Sequence, residues 1–152
     1  MIQKWIPSAM AVLMLGSGLL TAQTRDSIEA ENQRYVEAVM KQIAGNENKP
    51  AGDVFHNIKM LEEATAGRLL RIMNFGYSRS LGVTCNHCHV PGEWASDDKP
   101  PKRVARDMAA MMERINSELL TDIDHLRTKN PTINCTTCHR GQLQPALSMP
   151  PK

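Results

Sequence analysis

Two five-residue strings, CNHCH at 85–89 and CTTCH at 135–139, contain every cysteine of the chain. Any fold must bring Cys85 and Cys88 onto one group and Cys135 and Cys138 onto another, or all four onto a shared one. A histidine follows each pair at once, as His89 and His139. Three chemistries use CxxC. A four-cysteine zinc site usually has a shorter gap than the 46 residues between Cys88 and Cys135, and it gives the two histidines no task. A redox dithiol sits beside a βαβ pattern, and no strand pattern of any length is visible. CxxCH as a whole is the attachment signature of c-type haem. Two thiols add to the two vinyl groups on one porphyrin edge, two intervening residues let one helical turn bridge them, and the next residue reaches iron from the proximal side. The expected cofactors are two covalently bound haem c groups. Cys85 and Cys88 tether the first, with His89 as its ligand. Cys135 and Cys138 tether the second, with His139 as its ligand. His87, between the first two thiols, reads as filler.

The start of the chain carries a different signal. Lys4 is followed by an apolar run from Ala9 to Leu20 and by the small residues Thr21 and Ala22. This is the pattern of a secretory signal peptide, cleaved after Ala22. A run of about a dozen residues is too short to cross about 30 Å of hydrocarbon. The expected organisation is a signal peptide over 1–22 and one domain over 23–152, exported to the periplasm. In an oxidising compartment paired cysteines would otherwise form disulfides.

Charge excludes one class of partner. The 152-residue chain has a formal net charge of +2, and loss of Lys4 leaves +1. Nucleic-acid binding needs a concentrated basic face, so none is expected. The composition also bears on the core. Phe, Tyr and Trp occur twice each, against ten Met. An interior short of aromatics is completed either by a bulky ligand or by methionine packing.

The remaining pattern is helical. Ser27 to Ala44 reads as a helix capped by Ser27 and ended before Gly45. Residues 53–63 are short and ambiguous. Thr65 to Phe75 has a wide apolar face of Leu69, Leu70, Ile72 and Met73. Ser96, Asp97 or Asp98 is expected to cap a helix with Pro101 in its first turn, running to about Arg127. Along it Val104, Met108, Met111, Met112, Ile115, Leu119 and Ile123 form one stripe. Asn130 and Pro131 stop it. The Pro-rich tail is expected to lie irregularly on the surface. The fold class is therefore all-α, a small multihaem cytochrome c with helix–turn–CxxCH repeated twice among extensive loops.

Spacing leaves the sixth iron ligands open. Met73 ends a helix twelve residues before Cys85. The long helix offers Met108, Met111 and Met112, and His125 follows them. His56 reads as a surface or core residue.

The order VFHNIKMLEEATAGRLLRIM, SLGVTCNHCH, KRVARDMAAMMERIN and CTTCHRGQLQP, over about residues 53–145, resembles the photosynthetic reaction-centre cytochrome c subunit family. That family repeats a unit of helix, turn and CxxCH, with a helix methionine as sixth ligand. The resemblance implies Met73 as the ligand of the first haem and Met108 as that of the second, with Met111 and Met112 left to packing and Met111 in reserve. The family subunit carries four haems. This chain has two motifs, so it resembles one half, without a third or fourth haem to receive His125.

His/Met ligation leaves no vacant iron site and raises the potential by favouring Fe(II). The expected function is single-electron transfer between redox partner proteins, including a membrane-bound electron-transfer complex, with no enzymatic step and no small-molecule substrate. Arg140, next to His139, is either a propionate partner or a solvated cation. The competing reading is a haem enzyme or gas sensor of peroxidase-like character, which needs one open iron.

Overall fold

The computed structural model describes residues 16–148, with side chains from Arg25 onward. Most of the predicted signal peptide lies outside the described residues. Helix α1 (Gly16–Gln42) runs through the predicted cleavage point and past Ser27, which stands within the helix and does not start it. A serine cap is worth about 1 kcal/mol, and no proline lies between Gly16 and Ser27 to enforce the break. Gly45, in a left-handed conformation at φ 84°, ends the turn after α1 as expected.

A single helical turn, α2 (Ala51–Val54), opens the ambiguous stretch. The chain then enters a helical rod made of α3 (Ala66–Arg71), a π-helical segment over Ile72–Ser78, and α4 (Arg79–Leu81). The Thr65 hydroxyl accepts the Arg68 N–H at 3.3 Å and caps it. The rod outruns the predicted end at Phe75 by six residues, until Gly82 turns out at φ 67°. The π segment carries Met73, and such wide turns cluster at functional sites.

Helix α5 (Pro100–Arg114) begins after Lys99, with Pro100 and Pro101 in its first turn. None of the expected caps is used. Ser96 Oγ instead accepts the Asp98 N–H at 3.1 Å, and Asp97 pairs with cations further along the helix. A second π-helical segment, Ile115–Leu119, closes α5 well short of Arg127. The Thr121 hydroxyl donates to the Glu118 carbonyl at 2.7 Å, a local bond that competes with further helix. Ile123 thus falls outside the helix. The second motif forms its own short helix, α6 (Cys135–His139), with Asn134 as N-cap and a reciprocal bond to Thr137.

Among the described residues there is no strand, only the isolated bridges Pro50–Thr65 and Val90–Glu93. None of their helices is long and apolar enough to cross a membrane. The molecule is mostly helical, as the pattern predicted.

The buried apolar residues among those described are Val39, Ile43, Ala51, Ala66 and Leu69. A chain of this size normally hides about two thirds of its surface. Five small and medium side chains are a thin core, while Phe75, Val104, Met108, Met111 and Leu143 stand exposed. Between α4 and α6 the backbones touch. A Cβ on Gly82 would lie 2.1 Å from the Gly141 carbonyl oxygen. Gly141 N–H donates to Ser80 O at 2.8 Å, and the Ser80 and Thr136 hydroxyls meet at 2.6 Å. The rod leading to the first motif is thereby docked on the second.

Candidate functional site

Both motifs are held at their entry by the same device. Asn32, on α1, is almost fully buried and donates its amide to Val83 O at 3.1 Å. Its carbonyl accepts Cys85 N–H at 2.8 Å. Asn116, in the second π segment, donates to Ile133 O at 3.0 Å and accepts Ile133 N–H at 2.7 Å. Val83 and Ile133 each stand two residues ahead of the first cysteine of their motif. A side-chain amide supplies both a donor and an acceptor, so one residue replaces a missing backbone partner. Asn32 interrupts an apolar face of Val36, Val39 and Ile43 at spacings of four, seven and eleven. A polar residue on that stripe was the one sequence signal for it.

The histidines are also oriented alike. His89 Nδ1 lies 3.2 Å from the Trp94 carbonyl, and His139 Nδ1 lies 3.1 Å from that of Gln142. A carbonyl partner makes Nδ1 the protonated nitrogen and leaves Nε2 to ligate. Trp94 stacks edge-on to His89 with centroids 5.8 Å apart, and to Tyr35 at 5.7 Å. Burial, aided by Lys102, pulls the His89 pKa down, so the neutral imidazole a metal requires is favoured.

The first motif opens on a cavity with two adjoining lobes. Met73, Cys85, His89, Trp94, Leu69 and His56 line both, and Cys88 lines one. His56 is thus a cavity residue. Met60 also reaches this cavity, but the Tyr77 hydroxyl holds its sulfur at 3.5 Å. The second motif opens on a cavity where Cys135, Cys138 and His139 face Met108, Met111 and Met112. All three methionines share that space. Leu143, Gln144 and Pro145 close it, so the tail is part of the site and not merely surface. His87 lines this second cavity together with Cys88. The first motif thus supplies part of the second site's wall. Tyr77 and Leu81 stand between the two cavities and line both.

Two other residues lie away from the second cavity. His125 sits in an exposed loop at φ 62° and lines neither cavity. Arg140 takes a left-handed conformation after α6. It lines a groove with Arg25, Glu29 and Arg79 and does not line the second cavity.

The donor set fits haem better than zinc. One lobe of the first cavity and the whole of the second each enclose about 540 Å³, within the range of cofactor sites. Their walls are mainly apolar. Among the described residues no three His, Cys, Asp or Glu side chains are grouped to hold a metal ion. Burial pushes the Cys85, Cys88 and Cys135 thiols above their ordinary pKa.

Comparison with known proteins agrees. The family model of the photosynthetic reaction centre cytochrome c subunit matches residues 7–149. The photosynthetic reaction center cytochrome c subunit of Thermochromatium tepidum is 33% identical over 103 residues, covering 62% of this chain and 22% of that protein. Its counterpart in Rubrivivax gelatinosus is 31% identical over 105 residues, covering 68% and 27%. Cytochrome c-554 of Chloroflexus aurantiacus is 29% identical over 85 residues, covering 56% and 20%. The chain thus spans about a quarter or less of the relatives it matches. With a family match over nearly its whole length, and with both motifs set in cavities that a methionine also lines, this chain belongs to the photosynthetic reaction-centre cytochrome c subunit family.

Proposed function

We propose that this chain is an exported dihaem c-type cytochrome that passes single electrons between redox partner proteins, including a membrane-bound complex. One observation carries the reading: each CxxCH shares an apolar cavity with a methionine from the helix ahead of it. Met73 stands with Cys85, Cys88 and His89, and Met108 with Cys135, Cys138 and His139. Haem iron would supply the one-electron couple. The chain's own residues do the rest. The four cysteines would tether the two groups, with His89 and His139 as the histidines that would hold the irons and Met73 and Met108 as the methionines that would complete the ligation. The thin core and the exposed apolar stripe of α5 supply the surface that such groups would cover. The mature protein would comprise residues 23–152 and act in the periplasm.

The reduced pyridine spectrum of the purified holoprotein is expected to report two c-type haems per chain. One haem, or bound zinc, would overturn the reading. Oxidised protein is expected to absorb near 695 nm through its methionine ligands. Met73→Ala and Met108→Ala should each remove part of that band. If Met111→Ala removes it in place of Met108→Ala, the second ligand is Met111. Ready binding of carbon monoxide to the native reduced protein would instead mark an open iron and support the enzyme or sensor reading. N-terminal sequencing of periplasmic protein should begin at Gln23.

A further inference from the structure

The two sites differ in charge. Lys102, on α5, is only 8% exposed and reaches under the first motif. Its ammonium donates to the Trp94 carbonyl at 2.9 Å and to the Ser96 carbonyl at 2.7 Å. The same Trp94 oxygen is the partner of His89 Nδ1 at 3.2 Å. Lys102 also lies 3.2 Å from Asp97 Oδ1, which Arg106 meets at 2.9 Å. Asp97 is about half exposed, with its side chain at 49%. Two cations therefore face one solvated carboxylate, and both line the first cavity. The second cavity has no Lys, Arg, Asp or Glu in its described wall, and among the described residues no such cation is bonded to the Gln142 carbonyl that serves His139.

We propose that Lys102 is a positioning residue that raises the reduction potential of the first haem by sharing the Trp94 carbonyl with His89. This rests on the functional reading above, with His89 as ligand. The physical reasons act in one direction. A carbonyl that already accepts an ammonium is a weaker acceptor for the imidazole N–H. The ring then keeps less imidazolate character and donates less density to ferric iron. The ammonium also disfavours the extra positive charge of the ferric state. At an effective dielectric of about 20, a unit charge changes such an equilibrium about tenfold out to about 12 Å.

The test is potentiometric titration of the holoprotein, with the two haems told apart by the Met73→Ala and Met108→Ala spectra. Lys102→Met is expected to lower the first haem's reduction equilibrium about tenfold, or about 59 mV for one electron. The second haem should stay in place, and Lys102→Arg should restore most of the difference. Asp97→Asn, an exposed change, is expected to move the first potential upward. The opposite signs separate tuning from damage, and Asp97→Asn still decides if Lys102→Met does not fold. An unmoved first potential, equal shifts at both haems, or a fall in Asp97→Asn would overturn the proposal. The pyridine spectrum and the 695 nm band are read on the same samples. Their loss would indict the haem reading itself, while their persistence with an unmoved potential would indict only Lys102.

Discussion

The first and second motifs are built on one plan and finished differently. Each is entered through an asparagine clamp two residues ahead of its first cysteine, and each histidine is turned by a backbone carbonyl. The first, however, lies against α1 and the buried core, with Trp94 on its histidine and cations beneath it. The second has a more exposed wall. Its wall includes Val104 at 57% and Leu143 at 49% exposure, and no charged side chain lines it. A common local device thus tolerates two environments. What differs is how much of the wall the protein supplies and how much is left for a bound group to cover.

The contrast can be broken most forcefully at the cysteines. Replacing Cys85 and Cys88 by Ala should abolish cooperative thermal unfolding, because the first site's two lobes adjoin the core. Replacing Cys135 and Cys138 should leave a cooperative unit with one haem. Near-ultraviolet circular dichroism during melting checks both. Equal loss in the two variants would show that the sites are one cooperative body.

The clamps sharpen it at a smaller scale. Asn32→Ala orphans a carbonyl and an N–H inside the protein, at about 1–3 kcal/mol each. Asn116 is half-buried, so water can replace part of what Asn116→Ala removes, and about 1 kcal/mol is expected there. Urea unfolding of the two holoproteins measures the difference. A larger cost at Asn116 would reverse the assignment of the first site as the better buried.

The smallest effect is in acid. Hydrogen bonds from Asn57, Arg106 and Lys102 hold the Asp97 carboxyl well below the usual carboxylate range. A free Asp titrates near 3.9. The folded pKa is the lower, so this contribution is present above about pH 4 and is lost as pH falls from there through the folded value. Asp97→Asn should flatten that part of the stability curve. Substitutions in the second cavity, which has no carboxylate in its described wall, should leave it unchanged.

Much of this was legible in the residues. The all-helical class followed from periodicity, and the α5 stripe of Val104, Met108, Met111 and Met112 does face one cavity. Helix ends were less legible. Ser27 offers a cap that the longer α1 ignores, and Asp97 offers one that ion pairing with Lys102 and Arg106 diverts. The end of the π-helical segment after α5, at Leu119, is accompanied by Asn116 and Thr121 bonding to backbone, which no apolar period reveals.

The sequence by itself determined the two CxxCH arrangements, because each is local: three side chains on one turn need no distant partner to define them. Tertiary structure decided everything that joins residues far apart. It placed Asn32 beneath Cys85, His87 in the wall of the other motif's cavity, and Lys102 on the carbonyl that His89 uses. These relations depend on how the helices pack, and each rests on hydrogen bonds or shared walls between segments that have no pattern in common along the chain.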